Sequence, residues 1–288
     1  MPAFIEDRGY TKDQLRVLSL LASHEEVCLM VAPSFVVDFD YKKFVPLMKG
    51  LGFDSVTEVT FGAKIVNEQY HKYISEKKSK QKKFIASVCP SCVNLVKSKY
   101  PELKKYLMPF DSPMVAMGKI IQKNWRNQKI VFLAPCSAKK IEALSFPNLI
   151  SATLTFKEMK EIIFKEKTKP RKVSHLFDRF YNDYTKIYPL SGGLAATLHV
   201  KDILKKEETI SCDGLRNIDS ALAKDKVFYD ILFCDGGCIG GNGVDTKTPS
   251  FMKKYSVLSY RKFAKKESSN GRIGLRKYTK GISFSRDF

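Results

Sequence analysis

The sequence predicts an α/β fold of two lobes, with mainly parallel sheets flanked by helices. Three observations predict it. Short apolar runs recur with helical stretches between them, which is the pattern of strands buried on both faces. Three of those runs end at a cysteine, and parallel α/β sheets collect their ligands at strand carboxyl ends. A length of 288 residues is at the upper end for one core and suits two lobes sharing a cleft.

The elements follow in order. Val27 to Ala32 reads as a buried strand stopped by Pro33, and an amphipathic helix runs from Tyr41 to Leu51, ending at Gly52. Val56 to Phe61 is the next strand, and Ala63 to Lys77 is a helix. Phe84 to Val88 is a third strand whose end delivers Cys89, with a helix from Ser91 to Lys99 behind it. Pro113 to Trp125 is another helix, with Ser112 as N-cap and Pro113 at its first position. Ile130 to Ala134 is a strand delivering Cys136, and Tyr229 to Phe233 one delivering Cys234. Apolar periodicity fades from Tyr255 to Phe288, so residues 251–288 are expected as a partly ordered basic C-terminal tail on a domain spanning 1–250.

Composition removes several function classes. No apolar run approaches the ~18 residues of a membrane span, and the N-terminus lacks the apolar core of an export signal, so a soluble cytoplasmic protein is expected. The net charge of +20 attracts polyanions without specificity, and much of it lies in residues 77–83 and after Phe251. No helix-turn-helix, zinc-finger or aromatic RNP pattern accompanies it, which favours a solvated face or an acidic protein partner over nucleic acid.

The cysteines carry the chemistry. Seven is an odd number, and their grouping in Pro/Gly-rich motifs disfavours a disulfide framework. Cys89 stands in Ser87-Val88-Cys89-Pro90, Cys136 in Ala134-Pro135-Cys136-Ser137-Ala138-Lys139-Lys140, and Cys234 and Cys238 in Cys234-Asp235-Gly236-Gly237-Cys238-Ile239-Gly240-Gly241. Four thiolates suit a cubane iron-sulfur cluster or a zinc ion, and the residue types leave both open. The long gaps require ligands from different strands to converge, which puts the cofactor in the cleft between the lobes. Gly236, Gly237, Gly240 and Gly241 let backbone approach a bulky group closely, and Pro90 and Pro135 fix the chain beside their cysteines. Lys139 can donate a charge-assisted hydrogen bond to an anionic ligand. Cys89-x-x-Cys92 with Cys234 and Cys238 spells the zinc alternative. Cys28 reads as core, Cys212 has no evident partner, and His24, His71, His175 and His199 lack ligand spacing.

With these motifs in this order, the chain resembles the H-cluster domain of the iron-only (FeFe) hydrogenases. Ala32-Pro33-Ser34-Phe35, Leu51-Gly52-Phe53-Asp54, Phe61-Gly62-Ala63, Tyr100-Pro101-Glu102-Leu103, Ser112-Pro113-Met114 and Ser191-Gly192-Gly193 add to the three cysteine segments, over roughly residues 27 to 245. The resemblance implies a 4Fe-4S cubane held by Cys89, Cys136, Cys234 and Cys238. Through Cys238 it implies a di-iron subcluster carrying CO, cyanide and a dithiolate. Lys139 would hydrogen-bond a cyanide, and Pro33, Pro135, Gly236 and Gly237 would line the cofactor.

Departures from the family's pattern matter as much. Catalytic members carry a proton-relay cysteine directly before the first ligand, where this chain has Val88. The relay serine falls at Met108, and its glutamates fall near Gln69 to Tyr73, with Glu68 one position off. Cys92 replaces a tryptophan and Leu232 a methionine. These changes are most similar to the sensory branch of the family. The expected function is therefore a hydrogenase-like iron-sulfur protein that senses H2 or slowly converts it to protons and electrons, exchanging electrons with a ferredoxin-like or signalling protein. A cubane-only electron-transfer or scaffold protein is the alternative, and a basic nucleic-acid-binding protein with structural zinc stands behind it.

Overall fold

The computed structural model describes residues 9–180, 184–267 and 275–288. Among the described residues seven strands form two wholly parallel sheets. The first has the order β2 (Ser55–Glu58), β1 (Val27–Val31), β4 (Lys129–Ala134), β5 (Ala152–Thr155). The second has the order β3 (Phe84–Ile85), β7 (Phe228–Leu232), β6 (Thr209–Asp213). The chain alternates between the sheets, since β3 leaves the first sheet after β2 and β4 returns to it. Parallel strands need crossovers, and helices supply them. These are α2 (Tyr41–Leu51), α3 (Thr60–Lys77), α4 (Pro90–Lys99), α5 (Pro113–Asn124), α6 (Ala138–Leu144), α7 (Phe156–Lys165), α8 (Gly193–Thr197) and α9 (Leu215–Leu222), while α1 (Lys12–Leu21) precedes β1 and α10 (Ser250–Glu267) and α11 (Leu275–Thr279) follow β7.

The α/β class and its parallel sheets stand as expected, and the differences have local causes. The strand read as Val56 to Phe61 ends at Glu58, and Thr60 already opens α3. The reason is packing: α3 crosses α5 so closely that a Cβ on Gly62 would lie 2.4 Å from the Pro113 carbonyl. The strand read as Phe84 to Val88 pairs only at Phe84 and Ile85. Beyond it Ser87 leaves the ladder, its N–H donating to Tyr70 Oη and its hydroxyl to the Met108 carbonyl. Ser112 stands at the N-cap of α5 but makes no capping hydrogen bond, and its buried hydroxyl has no partner among the described residues.

The segment after 251 is not a loose appendage in its described part. Val257, Tyr260 and Ala264 are buried on one face of α10, at i, i+3 and i+7. Phe251, Tyr255 and Leu258 are exposed on the opposite face, so apolar residues surround the helix and its period is blurred in sequence. Asp111 N–H donates to the Phe284 carbonyl at 2.8 Å and Arg286 N–H to the Pro109 carbonyl at 3.1 Å, which stitches the last residues to the body. Residues 268–274 of that segment lie outside the described residues. No helix among the described residues is long and apolar enough to cross a membrane.

Candidate metal centre

Three strand ends deliver the four cysteines. Cys89 follows β3 as the N-cap of α4, with Pro90 at the first helical position. Cys136 follows β4 by two residues, and Cys234 follows β7 by two. Cys238 stands in the 3-10 turn Gly237–Gly240. All three loops therefore leave carboxyl ends of parallel strands, two from one sheet and one from the other.

Hydrogen bonds lace the loops together. Asn242, beyond Cys238, accepts from Ser137 N–H at 2.9 Å and donates to the Ser137 hydroxyl at 2.8 Å, tying the third cysteine loop to the second. Gly243 N–H donates to the Pro135 carbonyl at 2.8 Å. Lys139 Nζ donates to the Val88 carbonyl at 3.2 Å, tying the second loop to the first. Cys238 N–H donates to the Pro189 carbonyl at 2.7 Å, which holds the turn from behind.

The sulfurs sense one another electrostatically. Burial pushes the Cys238 thiol well above its ordinary value, and the charges of Cys89, Cys136 and Cys234 push it further. Burial, Cys136 and Cys89 push Cys234 to about 12. Burial also raises Cys136, against the pull of Lys139. Cys89 moves the other way, to about 6, because the Cys92 thiol donates a hydrogen bond to it, with Lys139 assisting. Cys92 is buried in α4 and also approaches the Ile231 carbonyl at 3.5 Å. Four half-buried thiols from three loops thus lie close enough to influence one another's charge.

The donor chemistry fits a cubane. Its four donors are all cysteine thiols, carried on three loops, which is the ligand set a cubane takes. Buried hydroxyls at Ser34, next to Pro33, and at Tyr188, next to Pro189, have no partner among the described residues.

At the glycines, protein atoms supply the crowding. Gly236 and Gly237 both adopt φ +79°, the left-handed region. A Cβ on Gly237 would lie 2.4 Å from the Pro189 carbonyl, and one on Gly241 2.3 Å from the Pro135 carbonyl. A Cβ on Gly236 would meet the Ser250 hydroxyl at 2.8 Å, where α10 begins. The glycines thus permit a tight turn against neighbouring segments.

Lys139 is held by more than its own loop. Its ammonium lies 2.6 Å from Glu142 Oε2, and Arg286 Nη1 lies 2.6 Å from Glu142 Oε1. Burial raises the Glu142 carboxyl, but Lys139 and Arg286 together bring it below its ordinary value. Glu142 was missed in the sequence, and the signal for it is the Lys-x-x-Glu spacing at a helix start. Nothing local pointed to Arg286.

At the relay positions the side chains are apolar or turned away. Val88 and Met108 are buried, and Glu68 is exposed. The inward position on α3 is Tyr70, whose hydroxyl is 2.8 Å from the Ser87 hydroxyl. Burial raises Tyr70 far above the ordinary phenol value, so it stays protonated. Asp230, mid-strand in β7, is fully buried with the Ala195 N–H at 3.0 Å, and burial lifts its carboxyl to about 6. Cys28 is core, as expected, and burial raises Cys212 on β6 to about 11.

Residues 25–242 match the family described as the C-terminal domain of the iron-only hydrogenase large subunit. The chain is 23% identical over 312 residues to iron hydrogenase 1 of Clostridium pasteurianum, covering 84% of this chain and 54% of that one. It thus spans about half the length of that curated relative. A variant of the FeFe-hydrogenase HydA1 from Chlamydomonas reinhardtii superposes with TM-score 0.68 at 14% identity, covering 96% of this chain and 99% of that chain. An FeFe-hydrogenase described for stepwise H-cluster assembly gives TM-score 0.65 at 15% identity, covering 96% and 99%. At such identities the structures establish the shared fold.

Proposed function

The chain belongs to the family formed by the C-terminal domain of the iron-only hydrogenase large subunit, and from that premise we propose that it binds an H-cluster and senses H2 or turns it over slowly. The observation that carries this reading is the convergence of three cysteine loops from three parallel strand ends, with Lys139 bonded between two of them. Cys89, Cys136, Cys234 and Cys238 would hold the 4Fe-4S cubane, with Cys238 also serving the di-iron subcluster. When bound, the cofactor supplies an open iron site at which H2 ⇌ 2 H+ + 2 e− takes place.

The chain's own residues then set the pace. Lys139 keeps a cation beside the cysteines, suited to orienting a cyanide ligand. Pro33 and Pro135 stiffen the two loops that leave β1 and β4. Val88 has no group that can hold a proton, and Met108 and exposed Glu68 supply none at the next positions, which supports sensing or slow turnover over rapid catalysis. Electrons pass to or from a separate acidic, ferredoxin-like or signalling protein. The exposed face of α10 supports this, since Phe251, Tyr255 and Leu258 stand there with Lys254 and Lys262, beside the Gly236 turn. Seven unpaired cysteines support a reducing, cytoplasmic setting.

Infrared spectroscopy of anaerobically matured protein, with iron and sulfide counted on the same sample, tests the reading. Bands from CO and cyanide are expected; zinc without iron overturns it. Iron and sulfide without those bands give the second reading, a cubane-only electron-transfer or scaffold protein, which buried apolar Val88 and Met108 favour. Val88→Cys in matured protein is expected to raise hydrogen evolution, and an unchanged rate counts against the lost-relay account.

A further inference from the structure

The C-terminal segment reaches the cysteine loops through one side chain. Arg286 is fixed by its backbone bond to Pro109 and by its guanidinium, which lies 5.0 Å from the ring centroids of both Phe146 and Phe288. From there Nη1 takes Glu142 Oε1 at 2.6 Å, while Lys139 Nζ takes Oε2 at 2.6 Å. The three side chains are 21%, 1% and 14% exposed, so the carboxylate is wholly enclosed and both cations are largely so. The nearby Asp111 has its own cation, Lys119, at 2.6 Å, and adds no net charge to the group.

Charge counting shows what the second cation does. Lys139 with Glu142 alone is a neutral pair, and a neutral pair offers little field to an anion. With Arg286 on the other oxygen the group carries one net positive charge, in surroundings where screening is weak. That charge faces a site where four thiolates are to be gathered. Lys139 also stays oriented, because Glu142 cannot swing both oxygens toward it, and its remaining bond is to the carbonyl of Val88, next to Cys89.

We propose that Arg286 is a positioning and charge-setting residue of the metal centre, turning the Lys139–Glu142 pair into a cationic group aimed at the cysteine loops. The proposal rests on the cluster-binding reading above. It assigns a role to a segment 144 residues from Glu142 in sequence, outside the matched span 25–242.

The test is the midpoint potential of the cubane in full-length protein reconstituted with iron and sulfide, followed by electron paramagnetic resonance. Arg286→Met removes a positive charge that favours the reduced cluster, and a more negative potential is expected. Arg286→Lys keeps the charge and is expected to keep the native potential. Glu142→Gln removes the negative charge and is expected to move the potential in the opposite direction, which keeps the test alive where Arg286→Met does not fold. In matured protein the cyanide bands are expected to shift in Arg286→Met and to return toward native in Arg286→Lys. A native potential in Arg286→Met, with only a lower melting temperature, would make Arg286 a mechanical clamp and overturn the proposal. Equal shifts in Arg286→Met and Arg286→Lys would overturn it too. Native protein that takes up no iron removes the cluster-binding reading itself, a result distinct from either.

Discussion

Two buried lysine–glutamate pairs in this protein use the same chemistry for different ends. Lys186 and Glu58 are 0% and 2% exposed and meet at 2.5 Å where β2 ends. Tyr260 Oη, on α10, accepts from Lys186 at 2.7 Å and donates to Glu58 Oε1 at 2.9 Å, and the Thr60 hydroxyl donates to Oε2 at 3.0 Å. That pair ties a strand end, a helix start and α10 into one knot, with both carboxylate oxygens filled from inside the body. Lys139 and Glu142 meet at 2.6 Å but borrow Arg286 from a remote segment, and the lysine also bonds the carbonyl of Val88, which precedes a cysteine. The first arrangement holds parts in place. The second arrangement, on the proposal above, holds a charge facing the cysteine loops.

The sharpest test of the contrast is Lys186→Met. It leaves the Glu58 carboxylate buried without its cation, which costs about 3–5 kcal/mol. Urea unfolding is expected to show that loss, while the protein that remains folded takes up iron and sulfide as the native chain does. A loss below ~1 kcal/mol would mean that Glu58 finds water or another donor, and the distinction between the two pairs would fail.

A third buried carboxylate sharpens the comparison because it has no lysine. Among the described residues Asp230 accepts the Ala195 N–H, and burial raises its pKa from 3.8 to about 6. Between those values the native state holds a proton that the unfolded chain has released. Stability contributed by the neutral carboxyl is thus fully present below about pH 4 and is lost as pH rises through about 6. Asp230→Asn keeps an acceptor for Ala195 and removes the ionisation. It is expected to raise stability at pH 7.5 by on the order of 2–3 kcal/mol and to flatten the dependence between pH 4 and 6. Denaturant unfolding at both pH values reads it, and an unchanged slope would show that Asp230 does not titrate there.

Legibility in the sequence follows the same division. The cysteine loops were readable because everything that defines them is local: an apolar run, then a cysteine beside proline or glycine. β1, β4 and β7 were readable as continuous apolar runs, since parallel strands are buried on both faces. β6 was missed because it reads Thr-Ile-Ser-Cys-Asp at a sheet edge and is only half-buried. α10 was missed because exposed Phe251 and Tyr255 blur its period. The knot at Lys186 and the arm of Arg286 join residues 128 and 144 positions apart, and no local pattern encodes such pairs. The glycines of the third loop were legible as a tight turn, but the neighbours they accommodate, Pro189, Pro135 and Ser250, come from elsewhere in the chain.

Lys139→Met is expected to cost least in stability and to matter most at the metal centre. Removing Lys139 leaves Glu142 paired with Arg286, so about 1–2 kcal/mol is expected rather than the larger loss at Lys186. On the cluster-binding reading all four cysteine ligands remain, so iron and sulfide uptake is expected to persist. The cation that bonds the Val88 carbonyl is gone, and Arg286, 21% exposed behind Glu142, cannot reach across to replace it. Reduced di-iron occupancy, read as weaker CO and cyanide bands per cubane, is therefore expected alongside an unfolding loss of only about 1–2 kcal/mol. If Lys139→Met were instead as destabilising as Lys186→Met with its bands intact, Lys139 would be a second structural knot. The position of a cation beside three cysteine loops would then be a consequence of packing alone.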